Sequence, residues 1–452
     1  MQGKEQFKRL VVFFMAVFIM SVQLFLYGFV WFNFYVNLMP IKYFRRGHWA
    51  ILAMYAVFLL SFGLIFGGFK VGYLRLMDML LSQIISIVIV NSLTYLQLAL
   101  IGGWRFLTNS QYIAVLTFFD IIAIVIWCII SRYIYIKLYP PYRMLLVYGE
   151  RGYDALVNKL SQRTDKYKIE STISIEENST EAVKKKIDDF ESVVLCDISA
   201  KDRNDLLKHC FDKSIRCYIT PKLSDIIVGS STDIYLFDSP LKVAKNSGLT
   251  FDQRLFKRLL DIICSVIILV VFSPVLLLSA LIIKLYDGGP VMYTQERLTE
   301  GGKIFRILKF RSMIEDSELD GARLASKDDD RITPYGRFIR RLHLDELPQI
   351  FNILKGDMSF VGPRPERAEI QEDYEKNIPE FHFRLKVKAG LTGYAQVYGK
   401  YSTTPYDKLK LDMTYIENYS FLMDIKLILL TVKVLFSKEN SEGVDNNKKT
   451  AV

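Results

Sequence analysis

The stretch "FKRLLDIICSVIILVVFSPVLLLSALIIKLYDGGP", residues 256 to 290, decides how the second half of this chain folds. It is apolar from about residue 259 to residue 283, which is enough for a helix to cross about 30 Å of hydrocarbon. Pro274 stands midway, where it removes one backbone hydrogen bond and displaces the preceding turn. The stretch therefore predicts a membrane helix with a break in its middle.

Two interpretations of this helix are open. One is a kinked fifth span, which would place the following residues on the opposite face of the membrane. The other is a re-entrant helix of about residues 257–284, kinked at Ser273-Pro274, that returns to the face it came from. Lys257 and Arg258 precede the apolar run and Lys284 follows it, and cations at both ends favour the re-entrant form.

Four further apolar segments precede this helix, and each has about 20 or more largely apolar residues. They lie near residues 10–36, 49–68, 77–101 and 112–136. Together with 51% hydrophobic residues in 452, they predict a four-helix transmembrane bundle over residues 1–139. The first segment is too long for a signal-peptide core and lacks a small-residue cleavage site, so we expect it to stay attached.

The orientation of the bundle follows from the Lys and Arg residues that flank its segments. Eight lie on one side, namely Lys4, Lys8, Arg9, Lys70, Arg75, Arg132, Lys137 and Arg143. Four lie on the other, namely Lys42, Arg45, Arg46 and Arg105. This excess predicts a multi-pass membrane protein with both bundle ends in the cytosol. Asp120, an acid inside the fourth segment, marks either an ion path or a helix-packing contact.

Composition narrows the class of function. The net charge of +10 comes without a compact basic tract, zinc-finger spacing or RNA-binding signature, so nucleic acid is not an expected partner. An anionic lipid bilayer and phosphate-bearing substrates suit this charge better. The five cysteines are odd in number and have no CxxC spacing, which argues against a disulfide framework or a zinc site.

Residues 140–250 alternate between strand and helix patterns. "RMLLVYGERG", "YKIESTISI", "SVVLCDIS" and "SIRCYITP" read as strands, and polar helical stretches separate them. This alternation predicts a Rossmann-like α/β domain with a parallel sheet, on the cytosolic side. The first strand ends in Gly149-Glu150-Arg151-Gly152, which lacks the full G-x-G-x-x-G of a dinucleotide site. A docking or regulatory role is preferred over nucleotide binding.

Four separated blocks follow the broken helix. They are Lys309-Phe310-Arg311-Ser312-Met313, Leu344-Asp345-Glu346-Leu347-Pro348-Gln349, Gly362-Pro363-Arg364-Pro365, and Gly390-Leu391-Thr392-Gly393 with Ala395-Gln396-Val397. In this order they resemble the bacterial sugar transferase family, the monotopic polyprenyl-phosphate phosphoglycosyl transferases. The likeness covers about residues 252 to 437. The bundle and middle domain further suggest the long-form branch, such as undecaprenyl-phosphate glucose or galactose phosphotransferases.

The resemblance implies a mainly α, monotopic catalytic domain over residues 251–437, with Asp345 and Glu346 as catalytic residues. Asp345 would attack the β-phosphate of a UDP-sugar, release UMP and pass the sugar phosphate to undecaprenyl phosphate. Glu346 would bind Mg²⁺ or steer the incoming phosphate, and the metal is not assigned to one of the two carboxylates. Taken alone, an acidic pair is also what the first turn of a helix favours.

Substrate-binding residues are carried over from the same blocks. Lys309, Arg311 and Arg364 are natural counter-charges for phosphates, although each also suits a surface salt bridge. The remaining positions implied by the resemblance are Gln349, Asp357, Gln396, Lys400 and Asp412. Gly390 and Gly393 suit a turn that approaches substrate closely.

Some residues depart from the family pattern and leave the sugar undetermined. His343 stands where a small hydroxyl residue is frequent, Thr299 where glycine often follows "QER", and Lys400 where arginine is frequent after Gly399. "SFLMDIKLILLTVKVLF" suits either an interfacial helix or a domain-core helix. The tail 438–452 is predicted to be disordered.

The resulting prediction is an enzyme of capsule, exopolysaccharide or O-antigen synthesis, with a homodimer possible. One rival is a membrane-anchored nucleotide-sugar dehydratase, which should carry an intact glycine-rich cofactor site and a Tyr-x-x-x-Lys pair. No intact glycine-rich cofactor site occurs in residues 257 to 437. The other rival is a non-enzymatic assembly scaffold, which would explain the first 250 residues but not the ordered blocks.

Overall fold

The computed structural model describes residues 6–40, 45–104, 108–149, 153–244, 248–314, 331–400 and 403–435. It divides into two compact units, Met1–Thr220 and Pro221–Val452. Several features of the sequence lie outside the described residues: the flanking cations Lys4, Lys42 and Arg105, the turn residues 150–152 and the tail 438–452. The domain boundaries at residues 139 and 250 stay predictions.

The four apolar segments of the first unit are confirmed as long helices. They are α1 (Lys8–Leu38), α2 (Arg45–Phe66), α3 (Leu76–Gly102) and α4 (Ser110–Leu138). By length and composition each is able to cross a membrane. Aromatic side chains fill the space between them, and Tyr27 of α1 stacks on Tyr55 of α2 with ring centroids 4.0 Å apart. Both rings are almost fully buried.

The α/β part of the first unit also follows the sequence pattern. Its elements are β1 (Tyr142–Tyr148), α5 (Asp154–Ser161), β2 (Tyr167–Ser174), α6 (Thr180–Ile187), β3 (Ser192–Cys196), α7 (Ala200–Asp212) and β4 (Arg216–Ile219). The four strands are parallel in the order β2-β1-β3-β4. All five residues of β3 are buried, as expected for an inner strand with helices on both faces.

Gly149, at the end of β1, has a packing role. Its amide donates a hydrogen bond to the carbonyl of Cys196 at 3.2 Å, where β3 ends. A Cβ atom at this position would lie 2.4 Å from the carbonyl oxygen of Asp197. Glycine is required here because the ends of strands β1 and β3 approach each other closely. This packing explains the glycine without a bound phosphate.

The second unit contains the predicted catalytic region, built on one long helix. Its helices are α8 (Leu223–Gly229), α9 (Phe251–Asp287), α10 (Pro334–Arg341), α11 (Gln349–Lys355), α12 (Ala368–Asn377), α13 (Tyr394–Tyr398), α14 (Pro405–Glu417) and α15 (Phe421–Leu435). Its strands form three pairs: β5 (Thr232–Leu236) with β6 (Ser239–Val243), β7 (Met292–Leu298) with β8 (Ile304–Phe310), and β9 (Ser359–Val361) with β10 (Gly390–Thr392).

Helix α9 continues through Pro274, and the neighbouring serine compensates for the proline. Pro274 has no N–H to donate to the carbonyl four residues earlier, which belongs to Val270. The hydroxyl of Ser273 donates to that carbonyl at 3.0 Å instead. The Ser-Pro pair therefore keeps the helix hydrogen-bonded where its ladder is interrupted.

The two cations that precede the apolar run of α9, Lys257 and Arg258, are bound within the second unit. Lys257 is 5% exposed, and its ammonium donates to Asp424 at 2.7 Å, to Tyr415 at 2.9 Å and to the carbonyl of Val361 at 2.7 Å. Arg258 donates to two carbonyls at the end of α11. Lys257 and Arg258 thus hold the fold of the unit together, so by themselves they do not position the helix relative to the bilayer.

Candidate active site

Asp345 and Glu346 lie in a short 3-10 turn, Leu344–Glu346, just after α10. The preceding residue, His343, has a positive φ of 55°, which reverses the chain direction after the helix ends. The turn brings the Asp345 carboxylate inward, where it is 8% exposed. Both acids lie in the first turn of this short helix, as the alternative explanation for their presence has it, but Asp345 is buried there.

Glu346 is held by two cations from different parts of the sequence. Its Oε1 atom accepts hydrogen bonds from Lys309 Nζ at 2.7 Å and from Arg364 Nη2 at 3.0 Å. Burial alone would raise the pKa of Glu346, but the charges of Arg364 and Lys309 outweigh it and hold that pKa well below its usual range. Glu346 is therefore ionised, and its charge is already balanced.

Asp345 differs from its neighbour. Its carboxylate forms no hydrogen bond or ion pair with the side chains that the structure describes. Burial and the adjacent charge of Glu346 raise its pKa, while Lys309, Arg340 and His343 oppose the rise. Of the two acids, Asp345 is thus the one whose oxygens are available for chemistry.

The cations reach the acidic pair from a hairpin and a loop. Lys309 lies near the end of β8, opposite Tyr293 of β7. Two residues later Arg311 is buried, and its guanidinium packs against Gly289, where a Cβ atom would lie only 2.1 Å away. Of the two side chains, Lys309 is the one that contacts Glu346.

Arg364 is carried by the loop that follows β9, and backbone contacts define the path of this loop. The amide of Gly362 donates to Thr392 at 2.8 Å, and the amide of Gly390 donates to the carbonyl of Pro363 at 2.9 Å. A Cβ atom at Gly390 would lie 2.1 Å from the Gly362 nitrogen, and one at Gly393 would lie 2.1 Å from the Gly362 oxygen. These glycines make room for protein backbone, whereas the sequence suggested a close approach to substrate.

Arg384 also holds this loop, and sequence analysis missed it. Its guanidinium is 3% exposed and donates to the carbonyl of Arg364 at 2.9 Å and to Asp412 at 3.0 Å. It lies 3.6 Å from the Glu366 carboxylate as well. Nothing in "FHFRLKVK" separates a buried arginine from a solvated one, since its partners are distant in sequence.

Among the described residues, the other predicted substrate-binding side chains form no hydrogen bond or ion pair with Asp345 or Glu346. Asp412 is 1% exposed and paired with Arg384, a position that favours a structural role. Asp357 pairs with Lys355 at 3.1 Å. The amide of Gln396 donates to Leu391 at 2.9 Å, while its Oε1 is buried with no hydrogen-bond partner in the described structure. Gln349 is buried at the start of α11, and Lys400 is exposed.

The metal-binding capacity of the site is limited to the acidic pair. Among the described residues there is no group of three or more His, Cys, Asp and Glu side chains that could hold a metal ion. Mg²⁺ is commonly bound by one or two carboxylates together with phosphate oxygens of the substrate. Asp345 and Glu346 therefore fit a Mg²⁺ ion that arrives with a diphosphate, but not a permanent all-protein metal site.

Comparison with known proteins shows what this part of the chain resembles. A family model described as bacterial sugar transferase matches residues 252–438. A UDP-glucose:undecaprenyl-phosphate glucose-1-phosphate transferase of Caulobacter vibrioides is 40% identical over 190 residues, which cover 41% of this chain and 71% of that protein.

Two other relatives carry different sugars in their names. A UDP-N-acetylgalactosamine-undecaprenyl-phosphate N-acetylgalactosaminephosphotransferase of Aeromonas hydrophila is 37% identical over 234 residues, 51% of this chain and 55% of that protein. Galactosyl transferase CpsE of Streptococcus agalactiae is 41% identical over 197 residues, 41% of this chain and 43% of that protein. The chain thus spans only about half the length of these two relatives.

Proposed function

This chain belongs to the bacterial sugar transferase family, and from that membership we propose that it transfers a hexose 1-phosphate from a UDP-sugar to undecaprenyl phosphate. The observation that carries the proposal is the contrast inside the acidic pair. Glu346 is neutralised by Lys309 and Arg364, while the Asp345 carboxylate beside it is without such partners among the described side chains. This contrast supports Asp345 as the nucleophile and Glu346 as the residue that holds two cations where phosphates would arrive.

The reaction is proposed to pass through a covalent intermediate. An Asp345 oxygen attacks the β-phosphorus of the UDP-sugar, a bond forms between them, and the bond from that phosphorus to the bridging oxygen breaks. UMP leaves with the bridging oxygen. A phosphate oxygen of undecaprenyl phosphate then attacks the same phosphorus, the bond to Asp345 breaks, and undecaprenyl-diphosphate-sugar results.

Both reactants are anions, so cations must lower the repulsion between them and the carboxylate nucleophile. Lys309 and Arg364 lie beside the acidic pair, and the Arg384 contact to the Arg364 carbonyl keeps the loop in place before substrate binds. Arg311 lies two residues from Lys309, on the side of Gly289. Bound by Asp345 and Glu346, Mg²⁺ would neutralise diphosphate charge.

We also propose that α9 is re-entrant, on evidence other than its flanking cations. Near its start, Asp261 accepts hydrogen bonds from Ser359 and the amide of Phe360 of β9, both at 2.9 Å. Towards its end, Ser279 accepts a hydrogen bond from Tyr335 of α10 at 2.8 Å. Residues of the same unit, on β9 and α10, thus contact both halves of the helix, which a straight span across about 30 Å of hydrocarbon would separate.

The proposed topology predicts that Glu300, in the turn after β7, lies on the cytosolic side. In a variant whose five native cysteines are replaced by serine, Glu300→Cys should resist an impermeant thiol reagent on intact cells and react after permeabilisation. Thr108→Cys, in the loop before α4, is the matched control, expected to react on intact cells. Labelling of Glu300→Cys at the rate of this control would rule out the re-entrant helix.

The function itself is tested by measuring UMP release from UDP-glucose, UDP-galactose and their N-acetyl analogues, with undecaprenyl phosphate in detergent. The relatives' names differ in the sugar, so one of the four donors is expected to dominate and to give the lipid-linked product. Binding of a UDP-sugar without UMP formation would favour a scaffold instead. The product would begin a capsule, exopolysaccharide or O-antigen unit at the cytosolic face of the inner membrane.

A further inference from the structure

Asp120 of α4 lies inside the apolar helix bundle, far in sequence from the proposed transferase site. Its side chain is 0% exposed. Oδ2 accepts a hydrogen bond from Asn91 Nδ2 of α3 at 3.0 Å. Oδ1 is buried as well and has no hydrogen-bond partner among the described residues. Half of this carboxylate is therefore unsatisfied in the interior.

The polar groups around Asp120 are already engaged with one another. The Asn91 amide group also donates to Thr117 at 2.9 Å, and its carbonyl oxygen accepts from the Tyr55 hydroxyl at 2.8 Å. The Thr117 hydroxyl in turn donates to the carbonyl of Ile113 at 2.7 Å. The two N–H groups of Asn91 are thus used on Asp120 Oδ2 and on Thr117, and Asn91 has no donor left for Asp120 Oδ1.

The charge of Asp120 is also not compensated by any cation that the structure describes. None of the Lys, Arg and His side chains that the structure describes is paired with it. The titratable groups that face it from the neighbouring helices are the phenols of Tyr55 on α2 and, stacked on that ring, Tyr27 on α1, and both are neutral near pH 7. An isolated carboxylate in an apolar interior is costly, so one positive charge is missing from this cluster.

A helix-packing contact alone does not explain an acid here. Asparagine has nearly the same shape and would satisfy Asn91 without burying a charge. The hydroxyl of Thr94, one turn along α3 from Asn91, is 1% exposed and also has no hydrogen-bond partner in the part of the chain that the structure describes. Oxygen atoms of a carboxylate, an amide and hydroxyls are suited to a proton or an alkali cation.

We propose that Asp120 binds one monovalent cation inside the bundle, either a proton or an alkali metal ion, with Asn91 and Thr117 as its polar surroundings. A divalent ion would leave one positive charge in excess on a single carboxylate. The described residues also contain no group of three or more His, Cys, Asp and Glu side chains for such an ion. The inference does not depend on the transferase function.

The test is thermal unfolding of the full chain in detergent. Sodium chloride is compared with choline chloride at equal ionic strength, and each salt is used at about pH 6 and at about pH 8. The variants are Asp120→Asn and Asp78→Asn. Asp78, at the start of α3, is partly exposed and pairs with Arg75. Asp78→Asn serves as the control because this substitution removes the same charge outside the buried cluster. Transferase activity is measured in parallel and is expected to be retained in both variants.

If an alkali cation binds, sodium should raise the wild-type midpoint at about pH 8 by roughly 5 °C or more. If a proton binds, the midpoint should fall from the lower to the higher pH whether or not sodium is present, and an infrared band of a protonated carboxyl should be seen. Asp78→Asn should keep the response and Asp120→Asn should lose it. The proposal is overturned if the wild-type midpoint changes neither with sodium nor with pH. It is also overturned if the midpoint of Asp120→Asn shifts as much as that of the wild type. If Asp120→Asn does not fold, the wild-type response and its infrared band decide.

Discussion

Asp345→Asn is expected to abolish UMP release, with a loss on the order of 10⁴-fold or more. Asparagine preserves the shape of the turn and the hydrogen bonds of Glu346, but its amide is a poor nucleophile toward phosphorus. The measurement is UMP formed from the preferred UDP-sugar, with folding checked by thermal unfolding. Because the Asp345 carboxylate has no ion-pair partner among the described side chains, the fold should be unharmed.

The matched control is Asp373→Asn on α12. Its carboxylate is exposed and pairs with Lys376 at 3.3 Å, so the same change there should leave turnover within about twofold of the wild type. A second readout uses wild-type enzyme given UDP-sugar without lipid acceptor. The peptide containing Asp345 should gain the mass of a sugar phosphate, with UMP formed in equal amount. Undiminished turnover in Asp345→Asn would refute the covalent mechanism while leaving the transferase assignment open.

Lys257→Met should destabilise the second unit by about 3–5 kcal/mol. The substitution leaves the Asp424 carboxylate, 1% exposed, without its cation, and removes the donor to the Val361 carbonyl at the end of β9. Denaturant unfolding of the full chain in detergent micelles measures the loss. Since β9 leads into the loop that carries Arg364, transferase activity should also decline before global unfolding.

Two further variants separate a buried anchor from a charge at the membrane surface. Lys257→Met combined with Asp424→Leu should recover most of the loss, because replacing a buried ion pair by apolar groups is often nearly neutral. Lys284→Met, at the other end of α9, removes a contact to the Gly288 carbonyl and should cost about 1 kcal/mol or less. If Lys257→Met and Lys284→Met lowered the free energy of unfolding equally, the buried ion pair of Lys257 with Asp424 would not be what stabilises this unit.

Thr299 departs from the family pattern, and the structure gives this residue a role in packing. Thr299 replaces a frequent glycine, which was expected to bear on sugar preference. In the structure its hydroxyl donates to the Asp357 carbonyl at 2.8 Å and accepts from the amide of Ala389 at 3.2 Å. The substitution therefore joins three chain segments, so sugar preference does not have to be invoked to explain it.

What the sequence by itself determined is what depends on local pattern and length. Apolar runs of about 20 residues define membrane helices, alternation of strand and helix defines a parallel sheet, and ordered blocks of unusual residues identify a family. These signals lie within short windows, so the bundle helices and the four strands β1 to β4 were predicted correctly as elements.

Only the tertiary structure decided which charged side chains stabilise the fold through buried ion pairs and which are available for chemistry. Lys257 and Asp412 look like membrane-flanking and substrate-binding charges in the sequence, yet both are buried in ion pairs with Asp424 and Arg384. Glu346 is neutralised by Lys309 and Arg364, residues 37 and 18 positions away. The physical reason is that the cost of a charge depends on burial and on partners that are distant in sequence, and no local pattern carries that information.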